Sequence, residues 1–156
     1  MLDDFDLQLL NLIQRDDSRT ADSLASDVPL SPSAIARRLR RLRSEGWIAR
    51  TIALLSDRLT ERRLRALVFI ELAEHADLKG KAALEARLRA VDQVQFCFET
   101  TGASDLLALF DCASMAEFNA LCDQVLVADP TVRRYETSFV KRQVKFAPFV
   151  ELRDGD

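Results

Sequence analysis

The segment from Ser31 to Gly46 constrains the fold of this chain more than any other. Its first two residues favour a helix start, because a serine hydroxyl accepts a backbone N–H bond and Pro32 lacks the N–H group that would have no partner there. Gly46 favours the left-handed backbone that ends many helices. Apolar side chains recur at spacings of four and three residues, which predicts one buried stripe. That stripe consists of Ile35, Leu39 and Leu42.

The opposite face of this helix predicts contact with a polyanion. Residues 37–50 hold six Arg and one Glu. An ordinary solvated helix face carries acidic residues three or four positions from its basic residues, because like charges at that spacing repel one another. Arginine offers a planar fork that matches guanine edges and phosphate oxygens, and small side chains at the helix start allow close approach to a groove. We therefore predict DNA contacts from Ser31, Ser33, Ala34, Arg37, Arg38, Arg40 and Arg41.

Two further helical patterns precede this segment. The first covers residues 3–15, with Asp3 or Asp4 as its cap, and the second covers about residues 21–27, with Thr20 as its cap. A short helix, a turn of a few residues and a capped helix with a basic outward face form a helix-turn-helix.

The distribution of charge supports the same class of function. The net charge of −3 argues by itself against nucleic acid. Residues 1–30, however, carry a net charge of −5, residues 31–65 carry +7, and residues 66–156 carry −5. An acidic chain that concentrates arginine in one stretch has the electrostatic footprint of a protein that binds a polyanion.

The chain after residue 63 alternates between strand and helix patterns. Their order is strand, helix, strand, hairpin, strand, helix, strand, which is that of a ferredoxin-like βαββαβ domain with two helices on one face of a four-stranded antiparallel sheet. Apolar side chains on the other face predict a partner subunit there; Val94, Phe96 and Phe98 are expected to share one face. The predicted strands are residues 64–72, 93–101, 106–110 and 132–144, and the predicted helices are residues 81–91 and a helix capped by Ser114.

These patterns predict an α+β chain with two domains. Residues 1–50 are the predicted helix-turn-helix DNA-binding domain, and residues 64–150 are the predicted ferredoxin-like domain that binds an effector and forms the oligomer. Residues 51–63 are the predicted linker, and residues 51–54 within it are expected to form a short strand that acts as a wing or hinge.

Composition and motifs argue against several other classes. Three cysteines without a C-x-x-C pair predict buried reduced thiols, and His75 is the only histidine. The sequence holds no nucleotide-binding, hydrolase or metalloprotease motif, so we expect no catalytic residue, metal or cofactor. No apolar run approaches the roughly 18–20 residues that span a bilayer, and the acidic start is unlike a secretory signal. These features favour a cytoplasmic protein without membrane contact.

Taken together, the residues resemble the Lrp/AsnC family of bacterial and archaeal transcription regulators over almost the whole chain. The combination of the two halves is more specific than either half alone. The matching positions are Leu2-Asp3, Asp6, Leu9-Leu10, Ile13, Leu24-Ala25, Leu30-Ser31-Pro32-Ser33, Arg38, Leu42, Gly46 and Ile48 in the first domain, and Thr101-Gly102, Asp105, Pro130, Val132, Thr137 and Val144-Lys145 in the second.

This resemblance implies a homodimer or a larger homo-oligomer, up to an octamer, that binds double-stranded DNA. It also implies a small-molecule effector, such as an amino acid, at the seams between dimers. Carried over to this chain, the effector site comprises Gly102 and Asp105, together with Thr137 and Val140. The Asp105 carboxylate can meet an ammonium group, and Gly102 leaves room for the ligand.

The chain departs from the family pattern in two places. Pro29 stands where a glycine is common before Leu-Ser-Pro, and it should stiffen the turn. The segment around Ser138 and Phe139 differs from leucine-binding relatives, so the sequence leaves the identity of the effector open.

Two alternative functions remain at this point. Some relatives of the family decarboxylate a sirohaem-type tetrapyrrole, although an arginine-rich third helix and a single histidine argue against that chemistry here. The other alternative is an architectural protein that coats DNA without sequence preference, because coating and regulation use the same arginine face.

Overall fold

Local hydrogen bonds define the first helix in the computed structural model, which describes residues 1–73 and 78–153. Helix α1 (Asp4–Ile13) begins after Asp3, and Asp3 and Asp6 exchange the two side-chain-to-backbone hydrogen bonds of a capping box. This reciprocal cap satisfies two backbone N–H groups that the helix itself cannot satisfy.

The next two helices also begin at their predicted caps. Helix α2 (Ala21–Leu24) follows Thr20 and ends earlier than residue 27, because the backbone then makes hydrogen bonds over three residues rather than four. Helix α3 (Pro32–Ser44) follows Ser31 and stops before Gly46, whose φ is +80°. The turn between α2 and α3 accommodates Pro29 in an exposed position.

A compact apolar core joins these three helices. One face of α1 packs against a residue of α2 and against the predicted stripe of α3. The apolar side chains recur along α1 and α3 at the spacing expected of an amphipathic helix. The buried members are Leu9, Leu10, Ile13, Leu24, Val28, Ile35, Leu39 and Leu42.

The chain divides into two units, and the C-terminal segment belongs to the first. That unit contains Met1–Leu54 and the residues from Lys145 onward, and the second contains Leu55–Val144. The Asn11 amide donates to the Leu152 carbonyl at 3.0 Å and accepts from the Leu152 N–H at 2.9 Å. The predicted second domain extended to residue 150. In the structure, residues 145–150 belong to the first unit, whose helix α1 bonds to the C-terminal segment through polar side chains.

The second unit has the predicted βαββαβ order. Its four strands form one sheet in the order β2-β3-β1-β4, and every neighbouring pair is antiparallel. This is the ferredoxin-like arrangement, so the predicted α+β fold class is confirmed. The elements are α4 (Asp57–Thr60), β1 (Leu64–Leu72), α5 (Leu78–Ala90), β2 (Val94–Glu99), β3 (Leu106–Cys112), α6 (Met115–Cys122), a π-helical turn (Asp123–Val127) that continues α6, and β4 (Val132–Phe139).

Helices α5 and α6 cover one face of this sheet. Alternate residues of β1 and β3 point to the helices, and the antiparallel register aligns them in pairs such as Ala66 with Phe110 and Val68 with Ala108. The helices contribute Leu84, Leu88, Phe118 and Leu121 to this core.

A bulge in β2 overturns one expectation. Val94 pairs with Phe110, yet Phe96 pairs with Leu109, so one extra residue interrupts the alternation. Val94 therefore packs against the core, whereas Phe96 and Phe98 lie on the opposite face. The prediction that the three side chains share a face is wrong, because an added residue reverses the side-chain direction.

Two predicted strand segments differ from the structure. β4 ends at Phe139 rather than at residue 144, after a last bond from the Val140 N–H to the Arg65 carbonyl at 2.8 Å. Residues 51–54 form no strand, because nothing in the described part of the chain pairs with their backbone.

Among the helices of the described residues, none combines the length and the hydropathy that crossing a bilayer requires. The position of His75 lies outside the described residues.

Candidate nucleic-acid interface and effector site

The outward face of α3 presents two exposed arginines, Arg37 and Arg40, after its capped start. The Ser31 hydroxyl accepts the Ala34 N–H at 3.3 Å and lies 3.1 Å from the Ser33 hydroxyl. Arg37 and Arg40 are exposed and point away from the buried stripe. The only hydrogen bond of their guanidinium groups among the described residues joins Arg40 Nε to the carbonyl of Ala36, one turn earlier on the same helix. These two guanidinium groups are therefore available to an external anion.

Arg38 and Arg41 have different surroundings on the flank of α3 that faces α1. Arg38 Nη1 donates to both carboxylate oxygens of Asp3, at 2.9 and 2.7 Å, and to Asp6 at 2.9 Å. Arg41 Nη2 pairs with the second oxygen of Asp6. The prediction grouped both arginines with the DNA-contacting residues, and the structure places them in an ion-pair network inside the unit.

Asp6 lies at the centre of this network and is buried, with 1% of its side chain exposed. Its carboxylate accepts the Asp3 N–H at 3.2 Å in addition to the two arginines. A buried carboxylate requires such partners, because an unpaired buried charge is strongly destabilising. The hydrogen bond from Arg38 lowers the pKa of the Asp3 carboxyl, although burial acts in the opposite direction.

The other flank of α3 is held in a similar way. Arg43 Nη2 lies 2.9 Å from Asp17, and the second oxygen of Asp17 accepts the Thr51 hydroxyl at 3.0 Å. The acidic residues at the start of the chain are thus counter-charges for part of the arginine cluster. Sequence reasoning recorded the net charge of the first thirty residues but missed this pairing. The signal was available in part, since Asp3 and Asp6 are three residues apart, as are Arg38 and Arg41.

The predicted effector residues of the β2–β3 hairpin lie together. Gly102 has a φ of +144°, a conformation that favours glycine, and a Cβ at this position would meet nothing within 4 Å. Asp105 follows it, and its Oδ2 accepts the Leu72 N–H at 2.7 Å. This bond fixes the direction of the carboxylate at the end of β1. Glycine is required here by the backbone and not by a neighbouring atom of this chain.

A cation already lies close to this hairpin. Lys81 forms an ion pair with Glu99 on β2, and that hydrogen bond raises the pKa of the Lys81 ammonium, with a smaller contribution from the charge of Asp105. Lys81 is therefore already the counter-charge of Glu99 beside this hairpin.

Thr137 and Val140 lie away from the hairpin. Thr137 pairs with Val68, and Val140 bonds to Arg65 at the start of β1, whereas Asp105 bonds to Leu72 at its end. Seven residues of strand separate those two ends, which corresponds to about 23 Å. One chain does not bring the four predicted effector residues into one site. A site that uses all four has to combine residues from more than one chain.

The sheet face that the helices leave uncovered is apolar at its centre. The register aligns Phe96 with Leu109 and Phe98 with Leu107, and the two phenylalanine rings lie 5.0 Å apart. Phe98 is 57% exposed. We call this patch the open sheet face; it consists of Leu67, Phe69, Phe96, Phe98, Leu107 and Leu109.

Two family models match the chain over most of its length. A model described as a winged helix-turn-helix DNA-binding domain matches residues 2–49. A model described as the Lrp/AsnC ligand binding domain matches residues 65–148. The first range contains α1 to α3, and the second contains all four strands of the sheet except for Leu64, the first residue of β1.

Individual relatives agree with these matches. The transcriptional regulatory protein DoeX of Halomonas elongata is 33% identical over 144 residues, which cover 92% of this chain and 90% of that protein. The leucine-responsive regulatory protein of Haemophilus influenzae is 31% identical over 156 residues, with coverages of 97% and 91%. The solved structure of a transcriptional regulator from Neisseria meningitidis in complex with L-Met has a TM-score of 0.83 and 27% identity, and the match covers 98% of this chain and 97% of that one.

Proposed function

Because this chain belongs to the Lrp/AsnC family of DNA-binding transcription regulators, we propose that α3 contacts specific DNA sites and that an amino acid controls this binding through the second unit. The family consists of regulators and not of enzymes, so the prediction of a regulator is confirmed and the decarboxylase alternative is set aside. We also propose a cytoplasmic location, because a DNA-binding regulator works where the chromosome is.

The observation that carries the proposal is the exposed pair Arg37 and Arg40 on a capped helix. A helix of this kind fits the major groove, and an arginine can bond to guanine through two parallel N–H groups. The predicted contacts Ser31, Ser33, Ala34 and Arg37 lie at the start and in the N-terminal half of α3, and Arg40 follows three residues after Arg37. In helix-turn-helix proteins, base contacts come from that half of the recognition helix.

We propose that a second copy of the chain covers the open sheet face. Large contiguous apolar patches are uncommon on monomers, and a two-fold dimer lets the same patch cover itself. Such a dimer would place its two α3 helices in successive major grooves, roughly 34 Å apart. The proposed dimers associate further into larger homo-oligomers, up to an octamer.

The proposed effector is an amino acid or a related small metabolite with an ammonium group. The orientation of the Asp105 carboxylate supports this choice. The hairpin lies far from Thr137 and Val140 within one chain, so a site that uses all of these residues is most simply formed between chains. L-Met is the first compound to test, because the similar regulator from Neisseria meningitidis was solved with it.

Fluorescence anisotropy tests the proposal. The full-length protein is titrated into DNA from upstream of its own gene and into scrambled DNA of the same composition, at two salt concentrations, with and without L-Met and a pool of amino acids. We expect tighter binding to the upstream DNA, weaker binding at high salt, and a change of affinity with an amino acid.

The other outcomes are equally informative. Equal affinity for both DNAs would favour the architectural protein that coats DNA. Sequence-dependent binding that no amino acid alters would retain the regulator and exclude this class of effector. Absence of binding by folded protein at both salt concentrations would refute the assignment of α3 as the DNA-contacting helix.

A further inference from the structure

The arginines of α3 divide into two groups with different roles, and we infer that Asp6 is a positioning residue that fixes the DNA-contacting helix through Arg38 and Arg41. This inference rests on the proposed function, since it assumes that α3 contacts DNA. It assigns direct contact with DNA to Arg37 and Arg40. The group that holds the helix in place consists of Asp6, Arg38 and Arg41.

Burial is the first reason. The Asp6 side chain is 1% exposed, whereas the Arg41 side chain, which pairs with it, is 40% exposed. A carboxylate removed from water holds its partners more strongly than a surface carboxylate, because the surrounding dielectric is low. A buried ion pair is weak evidence for stability but is well suited to fixing one geometry.

The geometry of the bonds is the second reason. Asp6 uses both oxygens for α3, with Oδ1 accepting from Arg38 at 2.9 Å and Oδ2 pairing with Arg41. Arg38 and Arg41 are three residues apart and therefore project from one side of the helix. Two bonds at successive turns restrain the rotation of α3 about its axis, which a single bond would leave free.

The rigidity of Asp6 itself is the third reason. Its Oδ2 also accepts the Asp3 N–H in the capping box of α1, and Arg38 bridges to Asp3. The Arg38 guanidinium lies 5.6 Å from the centre of the Phe5 ring, which further limits its motion. The start of α1 is thus a rigid support on which α3 rests, and the direction of Arg37 and Arg40 depends on it.

This division predicts opposite effects on the salt dependence of DNA binding. Affinity falls as salt concentration rises, and the slope of log affinity against log salt becomes more negative by about 0.9 for each additional phosphate contact. Asp6→Asn removes the buried charge that holds Arg41 while keeping the shape of the side chain, and it leaves Arg41 with Glu45, 3.9 Å away and 47% exposed, as its acidic partner. We expect a released arginine to reach a phosphate, so the slope becomes steeper by about 0.9, while discrimination between sequences falls about tenfold because Arg37 and Arg40 are no longer oriented.

The experiment uses the full-length protein, a DNA site selected by the wild type from a random pool, and a scrambled site. Affinities are measured over a series of salt concentrations for the wild type, Asp6→Asn, Arg41→Gln and the double variant Asp6→Asn/Arg41→Gln. Asp22→Asn is the matched control, because it removes one exposed negative charge from the same unit. This substitution leaves the pairs that Arg38 and Arg41 form with Asp6 unchanged. Circular dichroism confirms that each variant is folded.

We expect the steeper slope in Asp6→Asn alone and a slope at the wild-type value in the double variant. Arg41→Gln should lose discrimination and retain the wild-type slope, and this variant decides the matter if Asp6→Asn does not fold. A slope shallower by about 0.9 in Arg41→Gln would show that Arg41 contacts phosphate directly, which overturns the inference. An equal effect of Asp22→Asn, or wild-type slope and discrimination in folded Asp6→Asn, also overturns it.

The failure of the proposed function gives a different result. Wild-type protein that selects no site and binds no DNA at any salt concentration refutes both. Wild-type protein that binds its site with the expected salt dependence, combined with variants that behave like it, refutes only the positioning role of Asp6.

Discussion

Arg37 and Arg41 have the same charge and lie on the same helix, yet their surroundings differ. Arg37 is exposed, whereas Arg41 pairs with a buried carboxylate. A free guanidinium in water loses little when it transfers to a phosphate or a guanine edge. If Arg41 moved to a phosphate, the buried carboxylate of Asp6 would lose one of its two arginine partners and keep only Arg38, which is costly. The surroundings of each arginine therefore distinguish residues that composition alone cannot distinguish.

The role of Arg37 can be measured directly. Arg37→Gln should weaken binding to the selected DNA site by about 1–3 kcal/mol, since one bidentate contact is lost. The melting temperature should not change, because no ion pair of the unit is broken. Arg133→Gln is the control, as Arg133 is exposed on β4 of the other unit. Comparable loss of affinity in both variants would indicate a general effect of charge and contradict a specific contact.

The thiol of Cys122 makes a second prediction at this scale. Burial raises the pKa of Cys122 to about 11, although a hydrogen bond with Tyr135 acts in the opposite direction. In the unfolded chain the thiol ionises nearer its usual value of 9.0. The unfolded state therefore loses its proton first as pH rises, and stability is retained below about pH 9 and falls towards pH 11.

Denaturant unfolding at pH 7.5 and pH 10 measures this effect. The decrease in the free energy of unfolding between the two pH values should be smaller in Cys122→Ala than in the wild type. Burial also raises the pKa of Cys97 and Cys112, so some decrease should remain in the variant. An identical decrease in both proteins would contradict the contribution of Cys122.

At the scale of elements, local signals account for where α3 begins and ends. Ser31 and Pro32 define its start, and Gly46 defines its stop, because each acts on backbone groups within four residues. The same holds for Asp3 at α1 and Ser114 at α6. The strand β2 does not follow its local pattern, since a bulge depends on the partner strand.

Replacement of Gly46 tests the stop of α3. Gly46 has a φ of +80°, and a Cβ there would meet nothing within 4 Å. Gly46→Ala should therefore destabilise the protein only through the backbone, by about 1–2 kcal/mol. Gly46→Asn should be destabilised less, because asparagine tolerates this conformation. Thermal unfolding measures both, and equal stability of Gly46→Ala and the wild type would contradict the argument.

At the scale of the whole molecule, the open sheet face and the separated effector residues lead to the same proposal. Apolar residues at the centre of the sheet favour a second copy of the chain. Arg65 and Leu72, which bond to Val140 and Asp105, are about 23 Å apart along β1, and this separation favours an effector site that combines residues from different copies. Oligomer formation and effector binding are therefore expected to depend on one another.

Phe98→Asp tests the proposed dimer. Phe98 is 57% exposed, so a charge there should leave the single chain folded but should disrupt a packed interface. We expect light scattering after size exclusion to give a mass at least twofold lower than that of the wild type. Phe146→Asp is the control, because Phe146 is 55% exposed and lies outside the sheet. Unchanged mass in Phe98→Asp, or the same decrease in Phe146→Asp, would refute this interface.

The sequence alone determined the three helices of the first unit, the cap of α3, its apolar stripe and the βαββαβ pattern of the second unit. These features depend on spacing and on contacts between residues close in the chain, so they appear directly in the order of amino acids. The resemblance to the Lrp/AsnC family was also carried by residues at fixed positions, and the matched family models confirm it.

Only the tertiary structure decided which arginines are paired and which are exposed. Asp6 lies 32 residues before Arg38 and 35 residues before Arg41 in the chain, and no local pattern states that these side chains meet. The bulge in β2, the packing of Leu152 against α1 and the separation of Asp105 from Val140 have the same origin. Each depends on contacts between segments that are distant in the chain. These contacts form only when the whole chain packs.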